Sequence, residues 1–181
     1  MIRGGLFSHY FLQDGVRELD AYRALDAGRL GDAAARLRAS WAELAAFQRP
    51  SEAETEKDFI HPVLDLLGWH LLPQQEPGRG RRDLADALLF LSPGDLARAR
   101  PLPPAERFRH GVVVTEHEAR DTRLDRASGH GEAPSNQILR YLKRADGIAG
   151  SRVRAGFLIN GRFWRLYQGA ENRLVWAGFS L

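Results

Sequence analysis

The chain has 181 residues, of which 44% are hydrophobic and 27% are charged. That length suits one domain with a core of its own, and the composition excludes a disordered or fibrous protein. The sequence contains no cysteine, which excludes a disulfide scaffold, a cysteine nucleophile and a thiolate metal site. No apolar run reaches the ~18 residues of a membrane span, so we expect a cytoplasmic protein without a membrane partner.

Arginine supplies almost all of the positive charge. Among the 26 basic residues only Lys57 and Lys143 are lysines, and the formal net charge is +3. A GC-rich coding bias explains this composition. A surface that grips phosphates explains it as well, because the guanidinium fork matches phosphate oxygens in two-point contacts. In both cases, chemistry that needs a positioned lysine has two candidates.

The first 48 residues predict a helical extension. Apolar residues recur at helical spacing in two stretches, one around Val16 and one around Trp41. The glycine-containing stretch 26–32 predicts a turn between the two helices.

A third helix is predicted to begin at Ser51. Ser51 and Glu54 have the spacing of a capping box. On the helix that follows, Glu56 projects near the middle of the apolar face and Glu52 near its edge. Pro62 is expected to kink or break this helix, because proline removes a backbone donor.

The rest of the chain predicts a sheet with one further helix. Loops are expected over 73–82, 92–110 and 128–134, the second with at most one helical turn. Strands are expected over 83–91, 112–118, 155–159, 162–167 and 174–179, and a helix over 135–145. The Asn160-Gly161 pair between two apolar strands predicts a hairpin. The mixture implies an α/β or α+β domain over 51–181, preceded by the helical extension of residues 1–50.

Carboxylates stand near the ends of two predicted strands. Glu116 and Glu118 alternate after the valines of 112–114 and therefore share one face, and Asp86 lies at the head of the preceding strand. Either the strand leaves the core and both glutamates are solvated, or the carboxylates hold a divalent cation. An Asp strand followed by a Glu-x-Glu strand suits Mg²⁺, which binds one or two carboxylates and keeps waters that can attack a phosphodiester.

One further pair lies on the predicted helix 135–145. Gln137 and Tyr141 are one turn apart and share a face, which by itself is typical of a surface glutamine and a half-buried tyrosine. The six histidines are scattered along the sequence and predict no zinc site.

The segments together resemble a known family in their order along the chain. They resemble the nuclease domain at the N-terminus of Eco57I/MmeI-type restriction–modification enzymes and of type I restriction motor subunits. Those domains belong to the PD-(D/E)XK restriction-endonuclease-like superfamily. The resemblance spans roughly residues 51 to 168 and rests on residues 51–55, 59–64, 67–69, 86–90, 116–118, 124–125, 137–141 and 159–167.

The resemblance implies a central mixed sheet flanked by helices and a Mg²⁺- or Mn²⁺-dependent DNA endonuclease of a restriction–modification or phage-defence system. It implies that Asp86 and Glu116 are metal ligands, with Asp83 in place of Asp86 if the strand register differs. One glutamate of the front helix is a further candidate ligand: Glu52 matches the family pattern better, and Glu56 faces the sheet better.

The resemblance also implies how DNA is bound. Gln137 and Tyr141 match a Gln-x-x-x-Tyr motif that helps to position DNA and the active-site strand, and Gln137 is therefore counted with the catalytic set. Arg82, Arg140 and Arg144 are expected to contact the DNA backbone. The expected partners are double-stranded DNA and a methyltransferase or specificity domain elsewhere in the full-length protein or complex.

The sequence departs from the family at the catalytic lysine. Counted back from Leu124-Asp125, the lysine position holds Glu118, which can still bind metal. A second register places Arg120 there, and arginine is a poor general base because it hardly deprotonates. An alternative function is therefore a catalytically degenerate DNA-binding module that serves a methyltransferase or translocase. A third is a protein–protein scaffold that docks through residues 1–48.

Overall fold

A computed structural model describes residues 2–75, 85–127, 131–170 and 173–180. Within these ranges seven strands form one sheet in the order β1-β7-β6-β5-β4-β3-β2. The strands are β1 Ile2–Gly4, β2 His70–Gln75, β3 Ala85–Phe90, β4 Val113–His117, β5 Ala155–Ile159, β6 Phe163–Ala170 and β7 Arg173–Ser180. The central pair β4 and β5 is parallel, and every other neighbouring pair is antiparallel.

Helices lie on both faces of this sheet. They are α1 His9–Gln13, α2 Asp20–Arg23, α3 Ala27–Ala46, α4 Glu52–Thr55, α5 His61–Leu66, α6 Pro93–Ala99, α7 Pro104–Arg107 and α8 Pro134–Asp146. A 3₁₀ turn, Gly15–Glu18, follows α1, and a π-helical turn, Glu56–Ile60, connects α4 to α5. No helix in the described ranges is long and apolar enough to cross a bilayer.

The sheet separates two apolar cores because successive strand residues point to opposite faces. On one face, Leu88, Val114 and Leu158 pack with side chains of α8. On the other face, Leu89, Val113 and Ile159 pack with residues of α3, the π turn and α5. In β3 from Leu88 onward and in β4, even-numbered residues therefore face the core that contains α8, and odd-numbered residues face the other core.

The expected α/β fold class and its clearest elements are confirmed. The chain is a mixed α/β protein with helices flanking a mixed sheet. β4, α8 and the β5–β6 hairpin lie where the sequence places them. Gly161 has a φ of +77°, and a Cβ there would lie 3.2 Å from the side chains of Leu44 and Thr55. The hairpin turn thus needs glycine both for its backbone and for the close approach of the helical layer.

The helical prediction for residues 1–48 is wrong at two points. Ile2–Gly4 form a strand that pairs with β7 at the edge of the sheet. The predicted turn over 26–32 is instead the beginning of α3, because the side chain of Asp26 accepts a hydrogen bond from the Arg29 amide at 2.7 Å and caps the helix. The two glycines of this stretch lie inside the first turns of the helix.

Regular structure also occurs in residues 73–75 of one predicted loop, whose residues 76–82 lie outside the described ranges, and in the predicted loop 92–110. Pro73 lies in β2, which is an edge strand of the sheet, and edge strands tolerate proline. Pro93 and Pro104 each begin a short helix, since proline is favoured in the first helical turn. Pro62 does not end the front helix, which remains continuous through this residue. The helix passes into α5 through the π turn that precedes the proline.

Candidate metal centre

The strand register brings the predicted acids of β3 and β4 together. Leu88 pairs with Val114 and Ala87 with Thr115, so the same register one residue further sets Asp86 beside Glu116. Asp86 is held there by the chain itself, because the amide of His117 donates to its Oδ2 at 2.5 Å. The two carboxylates therefore lie on neighbouring strands, close to the C-terminal end of β4 and the N-terminal end of β3.

Four carboxylates at this end of the two strands affect one another's pKa values. We call Glu52, Asp86, Glu116 and Glu118 the acidic cluster. Burial and then the charges of the other three raise the pKa of Glu116 to about 10. Burial, followed by Glu52, raises the pKa of Glu118 to about 7. Carboxylates that are buried close together lose hydration and repel one another, so they tend to bind protons. A bound cation can compensate their negative charge instead.

Asp86 is balanced between opposing influences. Burial raises its pKa to about 6, against the lowering effects of His117 and its amide, while Glu56 and Glu52 add to the rise. Glu116 lacks any such support at one oxygen: its Oε2 is buried, and no residue in the described part of the chain donates a hydrogen bond to it. A buried carboxylate oxygen without a donor is a group that a hard cation would satisfy.

The two glutamates of the front helix have different surroundings. The charge of Glu52 raises the pKa of Asp86, Glu116 and Glu118, so Glu52 belongs with the strand acids. Glu56, which was also predicted as a metal ligand, has its Oε1 at 2.9 Å from His117 Nδ1 and 3.2 Å from His61 Nε2. These two hydrogen bonds lower the pKa of Glu56 to about 2.

The surroundings of Glu118 and Arg120 bear on the two registers of the second acidic motif. β4 ends at His117, and Glu118 remains within the acidic cluster. The guanidinium of Arg120 instead donates to the backbone carbonyls of Leu44, Phe47 and Gln48, at 2.8, 2.7 and 3.1 Å. Those carbonyls lie at the C-terminal end of α3, where a helix leaves acceptors unpaired. Arg120 is therefore occupied in fastening α3, and Glu118 is the residue that faces the acids.

Helix α8 brings one positive charge to the acidic cluster. The charge of Arg140 lowers the pKa of Glu116 and so partly offsets the rise caused by burial and the other acids. The Nε of Arg140 also lies 3.1 Å from Oε2 of Glu132. The Arg140 guanidinium stands 5.1 Å from the centre of the Tyr141 ring, and Tyr141 is buried in the core beneath. Burial, and then Glu116, raise the pKa of Tyr141, so this hydroxyl stays protonated and close to the acids.

The remaining predicted DNA contacts differ in position. Gln137 lies half-buried one turn before Tyr141, with its Nε2 3.5 Å from the Glu132 carbonyl oxygen. Arg144 is half-buried one turn after Arg140. Arg82 and the alternative ligand Asp83 lie outside the described residues.

The sequence did not predict that two histidines would lie beside Glu56. His61 and His117 are 56 residues apart in the chain, and in an ideal α-helix His61 would not share a face with Glu56. No spacing in the sequence brings these histidines together, because the π turn that aligns His61 with Glu56 departs from the helical period. Comparison of the chain with protein-family models, with curated proteins and with solved structures yields no match. Any function of the chain is therefore inferred from its own contacts and charges.

Proposed function

We propose that the chain is a Mg²⁺-dependent DNA endonuclease domain of a bacterial restriction–modification or phage-defence system. Its substrate would be double-stranded DNA in the cytoplasm. A methyltransferase or specificity domain elsewhere in the protein or complex would choose the site. The observation that carries the proposal is the acidic cluster itself, in which a buried Glu116 with one oxygen lacking a donor stands beside Asp86, Glu118 and Glu52.

The donor set of the acidic cluster suits Mg²⁺ or Mn²⁺. All four groups are carboxylates, and hard divalent cations prefer oxygen ligands. Asp86 and Glu116 would hold the ion from two adjacent strands, and Glu118 and Glu52, whose charges act on Glu116, would add negative charge beside it. When bound, the cation would lower the pKa of a coordinated water and neutralise charge on the phosphate.

Side chains of the protein would bind the phosphate, exchange a proton and support the DNA. Arg140 would place a permanent positive charge next to the phosphate, because its guanidinium already acts on Glu116. Glu118, which the family resemblance puts in the lysine position, has a pKa of about 7 before a cation binds, so it can exchange a proton near neutral pH. Tyr141 and Gln137 would support the strand and the DNA from α8.

Cleavage of plasmid DNA tests this proposal. Purified wild-type protein with Mg²⁺ or Mn²⁺ should nick or cut supercoiled DNA, and EDTA should abolish the activity. Asp86→Ala and Glu116→Ala should each reduce the rate by a factor of at least ~10². Glu43→Gln, which changes an exposed carboxylate on α3, is the matched control and should keep the wild-type rate. The proposal is wrong if no metal supports cleavage, or if both alanine variants cut as well as the wild type.

A second function is favoured by one specific observation, that neither of the two lysines of the chain acts on the acidic cluster. Lys57 and Lys143 are both exposed on helices, and neither acts on the pKa of any acid in the cluster. The same fold would then hold DNA for a methyltransferase or translocase without cutting it. Glu118→Lys distinguishes the two functions: if the wild type is silent and this variant cuts, the chain is a degenerate binding module.

A further inference from the structure

A second group of metal-binding side chains lies on the opposite face of β4. Glu56, His61 and His117, which we call the histidine cluster, each offer one ligand atom, and these atoms lie within 4.8 Å of one another. The two imidazole rings meet edge to face with their centroids 5.6 Å apart. Both rings are directed at the same carboxylate oxygen, Glu56 Oε1.

The backbone departs from an α-helix at the point that makes this cluster. In an α-helix, residues five apart are separated by about 140° around the axis and cannot share a ligand. Here the amide of His61 donates to the carbonyl of Glu56, five residues back, which closes a π turn. The wider turn places the side chains of Glu56 and His61 one above the other. π turns are rare and frequently occur at functional sites.

The third member is fixed in the core. The His117 side chain has no exposed surface, and no residue in the described ranges makes a hydrogen bond to its Nε2. Its ring is therefore oriented through Nδ1, which faces Glu56 at 2.9 Å. Because Glu116 and His117 are successive strand residues, their side chains lie on opposite faces, and the histidine cluster shares no residue with the acidic cluster.

We propose that Glu56, His61 and His117 bind a divalent first-row transition metal ion, for which Zn²⁺ is the probe. Two imidazoles and one carboxylate are a donor set that Zn²⁺ takes readily, with a fourth position left for water. At metal–ligand distances of ~2.0–2.2 Å, the ligand atoms of a tetrahedral site lie ~3.3–3.6 Å apart. The observed separations of 2.9 and 3.2 Å need only a small expansion to admit the ion. This site does not depend on the nuclease proposal.

Direct binding measurements test the site. Untagged protein, stripped with a chelator and dialysed against Zn²⁺, should retain one equivalent by elemental analysis. Its Co²⁺ form should show the visible absorption of a tetrahedral ion. His61→Ala and Glu56→Gln should each weaken Zn²⁺ binding at least tenfold. His61 is half-exposed, so its removal spares the core, whereas truncating the buried His117 would leave a cavity.

Two control variants separate this site from other ligands. His9→Ala removes an exposed histidine far along the chain, and Glu118→Gln alters the acidic cluster without touching the histidine cluster. Both should bind Zn²⁺ like the wild type. The proposal is overturned if the wild type holds no stoichiometric Zn²⁺ at micromolar concentration, or if His61→Ala binds it equally well. Loss of binding in Glu118→Gln alone would likewise overturn it, by placing the ion among the acids.

Discussion

His117 contacts Glu56 through its side chain and Asp86 through its backbone. Its amide donates to Oδ2 of Asp86 at 2.5 Å, and its Nδ1 lies 2.9 Å from Oε1 of Glu56. One residue of β4 thus holds the acidic cluster on one side and the front helix on the other. A change in the position of His117 would move both groups of ligands, so the two clusters share a frame although their donor atoms differ.

Replacing Glu116 should separate stability from metal binding. In the metal-free protein Glu116 must either hold a proton or face three other carboxylates, so Glu116→Gln removes a cost of folding. We expect the variant to be more stable by about 2 kcal/mol at pH 8 in EDTA, which corresponds to a rise in Tm of ~4–8 °C. Thermal unfolding followed by circular dichroism measures the shift.

The same variant should lose the response to Mg²⁺. Wild-type protein should gain stability when millimolar Mg²⁺ is added, because a ligand that binds only the folded state stabilises it. Glu116→Gln should show little or no gain. Glu43→Gln is the control for an exposed carboxylate and should behave like the wild type in both conditions. A variant less stable than the wild type in EDTA would contradict the electrostatic interpretation of the acidic cluster.

The metal-free protein should lose stability as the pH rises from 5 to 8. The folded-state pKa values of Asp86 and Glu118 are about 6 and about 7, raised from 3.8 and 4.5. Groups with raised values contribute stability that is present below the unfolded pKa and is lost as the pH rises through the folded pKa. We expect a loss of about 2 kcal/mol in urea denaturation with EDTA. Mg²⁺ should flatten this slope, because the bound cation replaces the protons.

At acid pH the slope should reverse. The pKa of Glu56 is lowered to about 2 by its hydrogen bonds to His117 and His61. A group with a lowered value contributes stability that is present above the unfolded pKa near 4.5 and is lost as the pH falls toward 2. The metal-free protein should therefore be most stable near pH 4 to 5. In Glu56→Gln this acid limb should be shallower, and an unchanged limb would show that other carboxylates produce it.

Much of the site was predictable because it follows strand period and local spacing. β4 and α8 carry strong periodic patterns, so the alternation of Glu116 and Glu118 and the position of Arg140 could be read from the sequence. The histidine cluster could not. It depends on a π turn, which changes the helix period over one turn, and on the tertiary approach of His117 to Glu56, 61 residues earlier in the chain. β2 was missed because its proline is typical of loops, and only its edge position makes a strand acceptable.

Arg120 should contribute to stability rather than to cleavage. Its guanidinium is largely buried and donates to three carbonyls at the end of α3. Arg120→Ala leaves these acceptors without a partner, and we expect a loss of ~2–3 kcal/mol in urea denaturation. Arg126→Ala, an exposed arginine of the same loop region, should change stability by less than ~0.5 kcal/mol. If Arg120 instead served as a substitute for the catalytic lysine, Arg120→Ala would abolish cleavage while stability remained unchanged.

Arg140 should act on both the substrate and the acidic cluster. Arg140→Gln removes the cation that lowers the pKa of Glu116, so the metal-free protein should lose further stability where Glu116 begins to ionise, near pH 10. The same change should weaken DNA binding and reduce the salt dependence of the binding constant, with a slope smaller by about one unit when one phosphate contact is lost. Fluorescence anisotropy with a short duplex at several salt concentrations measures both effects. Arg154→Gln, an exposed arginine next to β5, is the matched control. An equal loss of affinity in both variants would mean that general positive charge, and not the position of Arg140 beside Glu116, draws the DNA to this edge of the sheet.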